Sequence, residues 1–274
     1  MNYKWQTFNQ FEFIFKKWTN ISSNDVGNQL AIVAEDSNLY FSTEYGAYNS
    51  WVNISSDPNS YKVQPGCFNS TSDGKYYVIG YNSQTNEKQS FVNLCIINNS
   101  LNFRIIRIYK VLNSEEYEIS QVLINSLAIY ILLKFKIIRP DGNILLKSTD
   151  LGETFVDITP RNLPLINNLI IAKESPYIYA LNLKPNLQND VFISTDSGDN
   201  FIKIDNLSYT TGYSNTTGQY LLVDNRFSQN FSQSFEPCGN AEPLKNNLVG
   251  LAINSDGNYL LAQNNNTLYY SLDK

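Results

Sequence analysis

Short apolar runs recur along the whole chain, each closed off by a polar or glycine-bearing turn. The runs are rich in β-branched and aromatic residues, which favour strands over helices. Two segments repeat nearly the same pattern: Ile144-Leu-Leu-Lys-Ser148-Thr-Asp150-Leu-Gly152-Glu-Thr-Phe155 and Val191-Phe-Ile-Ser194-Thr-Asp196-Ser-Gly198-Asp-Asn-Phe201. Each reads as an apolar strand, a Ser-x-Asp-x-Gly turn, and an aromatic that opens a further strand. The two phenylalanines lie 46 positions apart, a spacing that matches one blade of a β-propeller. A degraded copy is Leu39-Tyr-Phe-Ser42-Thr-Glu44-Tyr-Gly46, which reaches Trp51 after a longer loop.

A second phrase, a turn followed by a hydrophobic strand, sits earlier in each unit. It occurs at Val26 to Val33, Asp73 to Ile79, Thr217 to Val223 and Asp256 to Ala262, each with glycine in second place. Versions without glycine fit at Leu127 to Leu133 and Leu169 to Ala172. Six such strands predict an all-β, six-bladed propeller occupying 1–274 as one domain, with seven blades as the alternative. The expected blades are 9–54, 55–110, 111–158, 159–204, 205–236, and 237–274 completed by 1–8. The fifth takes its outer strands from Arg226 to Phe235. The pattern at the two ends motivates the last span. Leu268-Tyr-Tyr-Ser271-Leu-Asp273 is the start of another turn of this kind, and Trp5-Gln-Thr-Phe8 is a strand fit to follow it. Trp5 precedes Gly27 by 22 positions and Trp51 precedes Gly74 by 23, so strands from both termini are expected to close the ring.

The turn chemistry is readable. Ser and Asp side chains cap backbone amides, and glycine takes the positive φ that other residues resist. The aromatic then drops into the core. Asn, at about one residue in seven, tolerates the same geometry, although an AT-rich coding genome accounts for the enrichment more simply.

Composition mainly excludes. The net charge is −5 and no basic cluster exists, the nearest being Arg104-Ile-Ile-Arg107, which alternates like a strand; nucleic acid is not an expected partner. There is no histidine, so neither a Ser-His-Asp nor a Cys-His pair can form and no imidazole can bind zinc. Cys67, Cys95 and Cys238 are too scattered for a disulfide framework or metal knuckle and read as buried thiols. No cofactor motif is present. The Phe11 to Phe15 stretch contains a glutamate and reads as a strand rather than a signal peptide. The most apolar region, Val122 to Ile138, carries Lys134 and Lys136 and is no membrane span. A cytoplasmic or virion-associated protein is the expectation. Triplets such as Asn215-Thr-Thr217 match the glycosylation pattern, as chance allows with this much Asn.

The Ser148 to Phe155 and Ser194 to Phe201 segments resemble the Asp-box (BNR) repeats of sialidases, sortilin-type receptor propellers, photosystem assembly factors and some xyloglucan-active hydrolases. In those families the box is a fold element opposite the usual ligand site. The resemblance therefore implies a structural role for Ser148, Asp150, Gly152, Phe155, Ser194, Asp196, Gly198, Phe201, Ser271 and Asp273. Sialidase-like sites need three arginines, a Tyr-Glu pair, an Asp, and a Phe/Tyr-Arg-Ile-Pro motif near the N-terminus. That motif is absent; the nearest phrase, Ile137-Ile-Arg139-Pro140, lies mid-chain, and the chain has five arginines in all. A carboxylate-pair glycosidase would need two facing acids. Asp73, Asp141 and Asp256 each sit beside glycine in a turn, and Glu115, Glu116 and Glu118 fall in a loop-like segment. Tyr45, Tyr48, Tyr61, Tyr209 and Tyr213 fall in expected loops and are the candidate ligand-face aromatics. The resulting expectation is a non-enzymatic binding or scaffold propeller for a protein or glycan partner. A lectin or glycoside hydrolase is the alternative.

Overall fold

The computed structural model describes residues 17–34, 38–47, 49–53, 62–84, 90–98, 100–108, 117–135, 142–161, 163, 165–182, 190–204, 212–223, 226–237, 248–254, 256–264 and 267–271. All regular elements among them are strands. The chain forms two compact units, 1–122 and 123–274.

The first unit holds two four-stranded antiparallel sheets with strands in sequence order. One is β1 (Trp18–Ser23), β2 (Leu30–Ala34), β3 (Leu39–Ser42) and β4 (Val52–Asn53). The other is β5 (Lys62–Ser70), β6 (Tyr76–Gln84), β7 (Ser90–Asn98) and β8 (Phe103–Arg107). A further four-stranded sheet is β9 (Tyr117–Ile124), β10 (Ile129–Phe135), β11 (Ile144–Ser148) and β12 (Val156–Asp157). There follow β13 (Ile166–Ile171), β14 (Ile178–Asn182), β15 (Asp190–Ser194) and β16 (Ile202–Ile204). Next come β17 (Gly212–Ser214), β18 (Leu221–Val223), β19 (Arg226–Ser228) and β20 (Glu236–Pro237). The last sheet has three strands among the described residues, β21 (Leu248–Ile253), β22 (Leu260–Asn264) and β23 (Thr267–Ser271).

Burial explains why the apolar runs were so visible. Within each unit the inner strands pack against neighbouring sheets. Ile129, Tyr130, Ile131, Leu132 and Leu133 are all fully buried. One cluster joins Leu132 and Leu145 to Leu169, Ile178 and Phe192, and Phe201 packs against it. Another joins Tyr179 and Val191 to Leu221 and Val223. In the first unit Phe41 and Tyr77 meet edge to face at 5.1 Å inside a shared cluster. The fourth strands, by contrast, are exposed at Val52, Val156 and Ile202. First strands run beside one another, β1 next to β5 and β17 next to β13 and β21.

Several expectations need correction. The blades with a full four strands number five, not six or seven, and the last sheet has only three described strands. Its fourth strand was expected from residues 1–8, which lie outside the described residues, as do Phe11 to Phe15. The run from Leu169 to Ala172 belongs to the first strand of its sheet, and the second strand is β14. That run is uniformly apolar because both its faces are covered, so pattern alone could not order it. Glu118 lies within β9 rather than in a loop. The fourth strand of the fifth blade is Glu236–Pro237, just beyond the expected span.

Candidate functional site

In an up-and-down sheet, the hairpin joining strands one and two and the hairpin joining strands three and four emerge at the same end. Both sets of turns here follow recurrent hydrogen-bond schemes, and together they build one face on each unit.

In the second set, Ser148 Oγ donates to Asp150 Oδ1 (2.7 Å) and accepts from Gly152 N (2.7 Å). Asp150 accepts from Thr154 N (2.9 Å) and Thr154 Oγ1 (2.6 Å). Ser194 repeats this with Asp196 Oδ1 (2.8 Å) and Gly198 N (2.7 Å), and Asp196 accepts from Asn200 N (2.9 Å) and Nδ2 (2.7 Å). The Ser42 turn keeps part of the scheme: its hydroxyl accepts from Glu44 N and Gly46 N, both at 3.2 Å, and sits 2.6 Å from Ser50 Oγ.

A further copy escaped sequence reading. Ser228-Gln-Asn230-Phe-Ser232-Gln-Ser234 forms the same circuit with Asn for Asp and Ser for Gly. Ser228 Oγ donates to Asn230 Oδ1 (3.0 Å) and accepts from Ser232 N (3.0 Å). Asn230 Oδ1 accepts from Ser234 N (3.0 Å), while Asn230 Nδ2 donates to Ser234 Oγ (2.8 Å). The amide supplies a donor where the carboxylate could only accept. The usable signal was the spacing of the serine and the side-chain carbonyl, not the glycine.

Just before the glycine position each of these turns places a residue in the left-handed region: Tyr45 (φ 54°), Leu151 (53°), Ser197 (61°) and Phe231 (57°). The bend aims a backbone amide at the sheet's first hairpin, since Tyr45 N donates to Asn28 O, Ser197 N to Pro176 O and Phe231 N to Gln219 O.

The first set has its own cap. Asn24, Asn125, Asn215 and Asn254 each offer Oδ1 to a backbone N–H on the far side of the turn, at Gln29, Ala128, Tyr220 and Tyr259. Thr71 Oγ1 does the same for Tyr76. Part of the Asn content therefore has a conformational role, which the codon-bias reading did not anticipate. Asn215 is buried and donates to Thr217 Oγ1, so its glycosylation triplet is unusable in the folded chain. Neighbouring turns are clamped by backbone bonds: Asp25 N to Ser72 O, Ser126 N to Lys173 O and Glu174 N to Thr216 O. At Gly218 (φ +82°) an added Cβ would lie about 3.0 Å from the Tyr177 ring of the preceding blade.

Turn bonding also sets the electrostatics. Hydrogen bonds from Thr154 hold the Asp150 carboxyl down to about 2. Asp73, Asp196 and Asp256 are likewise held below the usual carboxylate range. In Asp73 and Asp196 desolvation is the largest single influence and opposes this, but the summed hydrogen bonds outweigh it. In Asp256 the amide of Asn258 dominates. Burial pushes the Cys95 thiol up to about 12, and Cys67 is also buried. No cluster of His, Cys, Asp and Glu able to hold a metal occurs among the described residues.

Of the candidate aromatics, Tyr45 is 71% and Tyr213 38% exposed. Tyr45 sits in a third-to-fourth-strand turn and Tyr213 in β17 rather than in a loop. Tyr48, Tyr61 and Tyr209 lie outside the described residues, as do Asp141, Arg139, Glu115, Glu116, Cys238 and Asp273. Ser271 ends β23. No described helix is long and apolar enough to cross a membrane.

No family model and no curated relative matches the sequence. Solved structures do. The β-propeller domain of Myceliophteria thermophila Cps50 (Swd1) is similar over 94% of this chain and 86% of its own, with TM-score 0.59 and 13% identity. KlAtg21, solved in complex with the coiled coil of AgAtg16, is similar over 93% and 81% with TM-score 0.61 and 9% identity. The nidogen/laminin complex is similar over 91% and 76% with TM-score 0.51 and 8% identity. At these identities the likeness concerns the fold, and the chain is an all-β β-propeller.

Proposed function

We propose that this chain is a non-enzymatic binding propeller that presents its turns to a macromolecular partner, and that its Ser-x-Asp-x-Gly turns are structural Asp boxes. The observation that carries the reading is the state of the turn carboxylates. A glycosidase acid needs a carboxyl raised towards neutral pH by an apolar or like-charged setting. Asp73, Asp150, Asp196 and Asp256 are shifted the opposite way and are committed to capping amides. They serve the fold and stay ionised. Two of the similar propellers, KlAtg21 and nidogen or its partner, come from structures of protein complexes, which supports a protein partner. The carbohydrate-active alternative draws on the exposed Tyr45 ring.

A glycan-array screen run beside cross-linking capture separates the two. Capture of a protein with a blank array is the expected outcome. Selective glycan binding that is lost in Tyr45→Ala, accompanied by hydrolysis of the bound sugar, would replace the proposal with an enzymatic one.

A further inference from the structure

We infer that the turn face of the second unit is the docking surface, and that it takes a basic, amphipathic polypeptide segment. This rests on the binding reading above and specifies its site and partner. Four apolar side chains stand out from that face: Leu127, Leu151, Phe231 and Tyr259, each 37–48% exposed. They come from four different hairpins at one end of the sheets; single exposed apolar residues are ordinary, and these gain meaning from the charge gathered at the same end. The turn geometry does not dictate an apolar residue at each of these positions. Leu151 and Phe231 occupy the left-handed position of their turns, whereas Ser197 fills the same position in the intervening blade with a small polar group. The backbone bend serves the turn and does not depend on the Leu151 side chain, while the Phe231 ring is part exposed and part packed on Tyr177.

Charge on the same face selects the partner. The described turns of this unit carry Asp150, Glu153, Glu174, Asp196, Asp199 and Asp256, against Lys173 alone within them. Lys147, from the adjoining strand, pairs with Asp199 at 2.9 Å, which offsets that acid and leaves five acids against Lys173. Such a face repels nucleic acid and attracts Lys- and Arg-rich segments, with the field steering encounter and the apolar groups supplying anchors. The capped aspartates keep their charge well into acid, which supports the same assignment. The surface is also rigid. Ser126 N–Lys173 O (2.8 Å) and Glu174 N–Thr216 O (2.9 Å) bind successive hairpins, and the Phe231 ring stacks on Tyr177 at 5.1 Å. A preorganised surface loses little entropy on binding.

The test uses the full chain and a fluorescein-labelled amphipathic Leu/Lys peptide, with a Leu/Glu peptide of the same pattern, read by fluorescence anisotropy at low and high salt. The Leu/Lys peptide is expected to bind, more weakly as salt rises, and the Leu/Glu peptide to stay free. Leu151→Ser copies the residue of the neighbouring turn, so it keeps the fold; it should weaken binding about tenfold. Glu153→Gln with Glu174→Gln should weaken it and flatten the salt dependence. Ile202→Ser, on an outer strand, should leave it unchanged. Binding insensitive to Leu151→Ser, or equally sensitive to Ile202→Ser, would overturn the inference as non-specific charge attraction. No binding of the Leu/Lys peptide would overturn it too. If cross-linking still captured a protein in that case, the binding reading would stand with a different surface; a blank in both would remove the reading as well.

Discussion

The serine of each Ser-x-Asp-x-Gly turn is the residue on which its circuit hinges. Ser194 is fully buried, and its single hydroxyl joins Gly198 N to Asp196. Removing it orphans a buried amide as well as freeing the carboxylate, so Ser194→Ala is expected to cost about 1–3 kcal/mol in urea unfolding. The neighbouring exposed Thr195→Ala should change stability by less than about 0.5 kcal/mol. The carboxylates leave a pH signature instead. Asp150 titrates at about 2 when folded against 3.8 unperturbed, with the Thr154 hydrogen bonds as the main cause. A depressed folded pKa contributes stability that is complete above the unperturbed value and is lost as pH falls through the folded one. The melting temperature should therefore drop between pH 4 and pH 2, and Asp150→Asn should drop less over that window. The Asn230 turn shows that an amide can hold this geometry, so a wild-type pH slope in Asp150→Asn would count against the assigned cause.

At the scale of elements, legibility followed burial. Strand β10 was evident because Ile129 to Leu133 are all buried and the run is unbroken. Outer strands such as Val156–Asp157 are two exposed residues and leave almost no pattern. The turns were legible where glycine marked them. The corner asparagines went unread because Asn is common everywhere in this chain, so a functional position could not stand out by residue type. The Ser228 turn was hidden for a related reason, since Ser232 holds the glycine position at φ 65°. A non-glycine residue there costs about 1–2 kcal/mol before the entropy that glycine would itself lose. Ser232→Gly is accordingly expected to stabilise the chain by about 0.5–1 kcal/mol, seen as a higher urea midpoint at unchanged slope. Destabilisation would mean that the Ser232 side chain packs more usefully than its backbone strains. For the candidate face, the acids could be read from the sequence, but their gathering with Leu127, Leu151, Phe231 and Tyr259 at one end of the sheets could not. That grouping depends on which hairpins share an end.

At the largest scale, the repeat means that sheets within a unit bury their faces against one another, as in other repeat architectures. The last three-stranded sheet tests this within the second unit. Ile253 and Leu260 close a cluster with Leu222 and Phe227 of the preceding blade, where Tyr220 stacks on Phe227 at 5.9 Å. Ile253→Ala removes buried aliphatic volume from that joint and should cost about 2–4 kcal/mol. Native-state hydrogen exchange shows how far the loss spreads. If stability is passed between neighbours, amides of Leu221–Val223 should exchange faster in the variant, together with those around Ile253, while Ile129–Leu133 keep their protection. Equal acceleration at Ile129–Leu133 would mean that the unit opens as one cooperative block. The joint would then set the stability of every blade in the unit, including those that carry the proposed docking face.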